Sequence, residues 1–192
     1  GIALDALSGV AVDNIAMRGS SGLEFSKINR QLLKNMYNHL NIKLLILQFG
    51  GNVVPYIGDG HERYERWFRS QLMILKSLLP NVPIIVIGVA DMSIKNKNRY
   101  ETHPNLINVR NSLKNATLTA GGVYWDMFEA MGGENSMPSW VFAKPALAST
   151  DFVHFNYRGA RIVAEMFYNA LIFEYNSYQK QLEKSHPEIA AE

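Results

Sequence analysis

Two unbroken apolar runs, Lys43 to Phe49 (KLLILQF) and Pro83 to Val89 (PIIVIGV), constrain this chain more than anything else in it. Apolar residues at nearly every position, rather than every second one, are the pattern of a strand covered on both faces in a parallel sheet. Parallel neighbours need a crossover long enough to hold a helix. The sequence supplies one, because Glu62 to Leu79 sets Tyr64, Trp67, Phe68, Leu72, Leu75, Leu78 and Leu79 at helical spacing, after a loop over Val53 to Gly60. The same order recurs along the chain. Gly9 to Met17 (GVAVDNIAM) reads as a strand, closed by the small-residue turn Arg18 to Gly22 and followed by a helix from about Leu23 to Leu40. Beyond the second run, Met92 to Pro104 is polar loop, Asn105 to Thr119 a helix, Val123 to Asp126 a short strand, and Met127 to Thr150 a long loop. Alternating strands and helices with short links define an α/β class: a parallel sheet with helices on both faces.

The 192 residues, 47% of them hydrophobic, support one sizeable core and are short for two. The expected division is residues 1–8 as a tail or the end of an upstream module, 9–178 as the domain, and 179–192 as a polar C-terminal tail. A formal charge of +2 is too small to imply nucleic acid. Lys95, Lys97 and Arg99 are separated by Asn residues and read as a solvated loop. With no cysteine, disulfides, thiolate metal sites and cysteine nucleophiles are excluded, although the compartment stays open. No apolar run reaches membrane-spanning length. His39, His61, His103 and His186 lack the spacing of a zinc site, and no glycine-rich phosphate loop follows a strand, so neither metal nor cofactor is expected.

Ligands of parallel α/β sheets bind outside the carboxyl ends of the strands. That rule gathers Arg18-Gly19, Gly50 to Asn52, Asp91 and the segment from Asp126 to His154 onto one rim. Asp151-Phe152-Val153-His154 precedes Asn156, a helix cap by its side-chain chemistry. A helix then runs from Arg161 to Tyr175, with Ile162, Val163, Met166, Phe167, Ala170 and Leu171 on one face. An Asp three residues before a His can accept the Nδ1 proton, fix the tautomer and leave Nε2 free as a base. Asp91 and Asp126, at strand ends, read as loop-fixing groups rather than acids.

A glycine turn after one strand, Gly-x-Asn after the next and Asp-x-x-His before the last helix resemble three motif blocks of the SGNH (GDSL) hydrolases. The loop is similar to the branch holding peptidoglycan O-acetylesterases, through Tyr124 to Met127, Ala130-Met131-Gly132-Gly133, Ser136-Met137, Trp140 and Asp151-x-Val153-His154-Phe155. The resemblance covers about Gly9 to Ala170. It implies a three-layer α/β/α flavodoxin-like fold and a catalytic pair of Asp151 and His154. It also implies an oxyanion hole from the Gly19 N–H and the Asn52 side chain, and a substrate loop in which Met131, Met137 and Trp140 line an acyl or sugar pocket.

One block departs from the family pattern. Gly-Asp-Ser, which carries the nucleophile on the first strand, occurs nowhere in these residues, and Gly58-Asp59-Gly60 has glycine where the serine belongs. Ser20 and Ser21 lie in the glycine block. In the resembling branch the serine block can be separated from the rest by an inserted carbohydrate-binding module. The expectation is therefore a C-terminal portion whose nucleophile strand lies upstream or on a second chain, with a gap in the sheet between Val10–Met17 and Lys43–Phe49. The function implied is hydrolysis of acetyl esters on a glycan, or of another small ester, outside the cytoplasm. Alternatives are acetyl transfer to a sugar hydroxyl by the same triad, and glycan binding without chemistry.

Overall fold

The structure, a computed structural model, describes residues 8–185. The expected segment 1–8, apart from Ser8, lies outside the described residues, as do 186–192 of the expected tail, His186 included. Strands β1 (Leu45–Gln48), β2 (Ile84–Ile87) and β5 (Val123–Trp125) form a parallel sheet in the order β1-β2-β5. Strands β3 (Ser93–Asn96) and β4 (Arg99–Thr102) form a separate antiparallel hairpin. Helices α1 (Arg30–His39), α2 (His61–Leu78), α3 (Leu106–Thr119), α4 (Met127–Ala130), α5 (Met137–Val141) and α6 (Tyr157–Ser185) complete the described chain.

Register divides the sheet into two faces. Leu47, Val86 and Tyr124 are aligned and point into the main core with Phe68, Leu72, Leu75, Val109 and Leu113 of α2 and α3 and with Leu33 and Tyr37 of α1. On the other face Gln48, Ile87 and Trp125 are aligned, and Trp125 meets Phe167 of α6 edge-on with ring centroids 5.2 Å apart. Helices thus cover both faces, which is the expected three-layer α/β/α arrangement. The second layer is thin, because α6 leaves Ile46 45% and Val123 58% exposed.

The reading of β1 as covered on both faces is therefore corrected: Leu47 is buried, whereas Ile46 faces outward at the sheet's edge. Among the described residues β1 pairs only with β2. Leu45 N–H donates to the Pro83 carbonyl at 3.0 Å, so by strand alternation the Ile46 N–H points to the unpaired edge. Gly9 to Met17 is not a strand; Val10 is 92% and Val12 88% exposed. A strand is stable only against a hydrogen-bonded neighbour, and this segment has none among the described residues.

Three further differences have local causes. The helix expected from Leu23 breaks into a short 3-10 turn (Phe25–Lys27) and α1, because Ile28 is extended and Asn29 caps α1 by accepting the Leu32 N–H at 3.0 Å. The polar Met92 to Pro104 stretch hides a hairpin whose two-residue turn sets Lys97 at φ 53°, with no glycine to announce it. Helix α6 starts at Tyr157 and runs without a break to Ser185, past the expected boundary at 178.

Candidate active site

The turn carrying Asp151 and His154 is built from its own residues. Phe152 adopts φ 60°, a conformation that non-glycine residues enter only when their surroundings hold them there. Its ring is buried and stacked on Tyr100 at 3.7 Å, and its carbonyl accepts the Ser93 N–H at 2.9 Å. Behind it, Asn156 Oδ1 accepts the N–H groups of Arg158 and Gly159 at 2.9 and 3.1 Å while Nδ2 donates to the Ala146 carbonyl, so Asn156 caps α6 as its chemistry suggests. Backbone thus bent turns Asp151 back onto His154. Asp151 Oδ2 lies 2.9 Å from His154 Nδ1, and Oδ1 accepts the backbone N–H groups of Val153 and His154 at 2.9 and 3.0 Å.

Partial burial would raise the Asp151 pKa, but the His154 N–H, the His154 ring and the Val153 N–H outweigh it and hold the carboxyl below its ordinary value. The side chain of His154 is 77% exposed. Its Nδ1 is committed to Asp151 and its Nε2 is open to solvent.

The second group of residues stands where β1 ends. Gly19 has φ +75° in the turn closed by the Ser20 N–H on the Met17 carbonyl. Asn52 Nδ2 donates to the Ser20 carbonyl at 3.2 Å, joining the two positions across 32 residues of sequence. The turn is fixed from below: the Tyr64 hydroxyl donates to the Ser21 carbonyl at 2.8 Å, and a Cβ on Gly22 would come within 2.8 Å of Phe49 and Phe68. Ser20 and Ser21 both direct their hydroxyls to Glu24, Ser20 at 2.5 Å and Ser21 at 3.4 Å. Neither is paired with His154, and among the described residues no serine hydroxyl is hydrogen-bonded to its ring.

Because β1, β2 and β5 are parallel, Asn52, Asp91 and Asp126 leave the sheet on the same rim. Met92, beyond β2, lies between the turn at Gly51 and the histidine turn. A Cβ on Gly51 would lie 3.9 Å from the Met92 methyl, Met92 precedes Ser93, and Ser93 donates to Phe152. Asp91 is fully buried, taking the Thr102 hydroxyl and the Met137 N–H at 2.8 Å each, and Asp126 forms a two-pronged pair with Arg110. Both hold loops.

Met131, Met137 and Trp140, expected to line a pocket, do not. They are buried in a second small core with Val141, Ala148 and Phe152. Trp140 Nε1 donates to the Met131 carbonyl and the Asp91 N–H to Met131 Sδ. A long loop needs its own core to stay folded, and these large side chains form it. Trp67, placed at helical spacing with the apolar residues of α2, is 53% exposed. The supporting roles of Tyr64 and Glu24 were not anticipated; the only signal for Glu24 is an acid a few residues beyond Ser20-Ser21.

The chain has the three-layer α/β/α fold of the solved structures it resembles. No family model and no curated protein matches it. Among solved structures it is similar to a peptidoglycan O-acetylesterase, with a TM-score of 0.73 and 24% identity over 83% of this chain and 45% of that one. It is also similar to an acetyl xylan esterase (TM-score 0.57, 14% identity, 80% of this chain and 77% of that one). A third likeness is to a protein from Parabacteroides merdae described as a GDSL-like lipase (TM-score 0.51, 18% identity, 74% and 68%). The chain spans less than half the length of the first of these.

Proposed function

We propose that this chain supplies the base, its orienting acid and the oxyanion donors of a serine esterase, and that the serine comes from a strand outside these 192 residues. The observation that carries the reading is the Asp151–His154 pair, with Nδ1 held at 2.9 Å and Nε2 open. In the reaction the serine Oγ attacks the ester carbonyl while its proton passes to His154 Nε2, and Asp151 stabilises the imidazolium that forms. The negative oxygen of the tetrahedral intermediate is received by the Gly19 N–H and Asn52 Nδ2. Collapse breaks the ester bond, and His154 returns the proton to the departing alkoxide oxygen. Water, deprotonated by the same histidine, then attacks the acyl-serine; collapse breaks the acyl–Oγ bond and frees the acid, and His154 returns its proton to the serine Oγ.

The unpaired edge of β1 is where the missing strand would add, leaving Val10 to Met17 to pair on its far side. An acetylated glycan is the substrate this reading favours, by analogy with the esterase neighbours, and an extracytoplasmic location follows from such a substrate. Among the described residues no helix is long and apolar enough to cross a membrane.

The test is reconstitution. The 192 residues alone give negligible turnover of p-nitrophenyl acetate, unchanged by Ser20→Ala or Ser21→Ala. Joined to the upstream coding segment, they release acetate from an acetylated glycan, and His154→Ala abolishes it. Activity of the isolated chain that depends on Ser20 or Ser21 overturns the proposal. A second reading, glycan binding without hydrolysis, is favoured by the absence of a serine against His154 among the described residues; it predicts no acetate release in any combination.

A further inference from the structure

A concavity of about 290 Å³ is bordered by Asn52 and extends away from it toward α2. Asn52 and Val53 line one side, Ile57 and Leu23 add apolar surface, and Tyr56, Arg63 and Trp67 complete it. Two features separate it from a packing defect. Tyr56 is 87% and Trp67 53% exposed, so two aromatic side chains are presented to water instead of the core. With Leu23, Val53 and Ile57 they form a contiguous apolar lining, and a contiguous patch, unlike a lone exposed side chain, is what marks a binding surface. Arg63 is the only charged residue lining the concavity; its guanidinium carbon is 5.4 Å from the Trp67 ring centroid, and it has no carboxylate partner among the described residues. Arg63 also borders the neighbouring hollow, whose lining includes Asp59, Glu62 and Arg66, but pairs with neither acid.

Resting on the esterase reading for its biological setting, we propose that this concavity binds a carboxylate-bearing sugar unit of the glycan next to the ester. The apolar C–H face of the pyranose ring lies against Trp67 and Tyr56, and the carboxylate pairs with Arg63. An aromatic face accepts a sugar ring without demanding particular hydroxyls. The planar guanidinium, already held over Trp67, can present two N–H groups to one carboxylate. A volume near the small end of ligand pockets suits a single ring. Adjacency to Asn52 sets the acidic sugar one position from the acyl group, so the subsite selects which esters are presented.

Binding to the 192-residue chain tests this without catalysis. The chain is titrated, with tryptophan fluorescence and NMR shifts as readouts, with a glucuronic-acid-containing oligosaccharide and with the same oligosaccharide after its carboxyl groups are reduced to alcohols. The acidic form binds about tenfold more tightly, as expected for one charge-assisted pair. Arg63→Gln erases that difference, and Trp67→Ala weakens both forms. Both side chains are at the surface, so thermal unfolding reports whether either variant has lost the fold. Equal affinity for the two forms, a preference that survives Arg63→Gln, or no binding of either form overturns the subsite. Binding that behaves as described in a reconstituted protein that hydrolyses no ester refutes the esterase reading and leaves the subsite standing.

Discussion

Replacing Asp151 by asparagine isolates what its carboxylate does, because the amide keeps the shape and changes one partner. The amide oxygen can still accept the Val153 and His154 N–H groups now taken by Oδ1. The amide nitrogen then occupies the place of Oδ2, 2.9 Å from Nδ1, and donates where the carboxylate accepted. Nδ1 must become the acceptor, so the ring proton moves to Nε2 and the base is lost. Three charge-assisted hydrogen bonds become neutral ones in a half-exposed site, which costs about 1 kcal/mol in all, or a fall of about 2–4 °C in Tm for a domain of this size. In the reconstituted esterase, turnover falls on the order of 10⁴-fold, the scale for a histidine held in the wrong tautomer.

The pH dependence of the same variant has a definite sign. Asp151 has its folded pKa depressed from the ordinary 3.8. Its contribution is therefore fully present above that value and is lost as the pH falls through the depressed one. The asparagine variant has no such loss, so its stability deficit closes in acid. Nitrogen-15 NMR of the imidazole reads the tautomer directly, and thermal melts across the acid range read the linkage. A variant ring that still carries its proton on Nδ1, or a stability deficit that does not change with acid, would refute the reasoning.

Other substitutions probe the neighbouring parts. Asn52→Ala removes one oxyanion donor, and turnover in the reconstituted enzyme falls ~10²-fold or more with KM little changed, as steady-state kinetics will show. Gly159→Ala drives a Cβ into the Leu147 carbonyl, a backbone contact that cannot swing aside; it costs about 1–3 kcal/mol, read as a lower Tm. Ile46→Pro removes the N–H at the unpaired edge of β1 and trims a partly exposed side chain, while breaking no hydrogen bond to β2. The isolated chain should melt within about 2 °C of the parent, while the upstream segment no longer restores activity.

Helices α2 and α3 and strand β2 were legible in the sequence because their signals are local and their surroundings agree with them. Phe68, Leu72 and Leu75 fall on one helical face and are all buried, and Ile84 to Val86 are buried in succession. Elsewhere a local signal was overruled. Asn29 preferred capping to continuing a helix, and Lys97 turned a hairpin with no glycine. Trp67 fits the apolar face by spacing, yet it stays half exposed beside the loop at Tyr56. Met131, Met137 and Trp140 were assigned to a pocket because likeness of motif carries no burial, and only the packing of the loop on itself decides that point. Val10 and Val12 alternate as a strand should, but pairing needs a second strand, and that requirement is not written in the segment.

The candidate site divides along the same line. Asp151 and His154 are three residues apart, and the forces orienting them come from Phe152 against Tyr100, Ser93 and Asn156. None of these bonds involves a nucleophile. The orientation of His154 therefore comes from the fold itself, and under the proposed reading it precedes any meeting with a serine. The Asn52 amide donates to the carbonyl of Ser20, the residue after Gly19, a contact across 32 residues that sequence spacing could not give. That contact also leaves Asn52 one further N–H. The Ser20 carbonyl orients the amide, so under the proposed reading the cost of ordering this donor is met in folding and not at the moment of reaction.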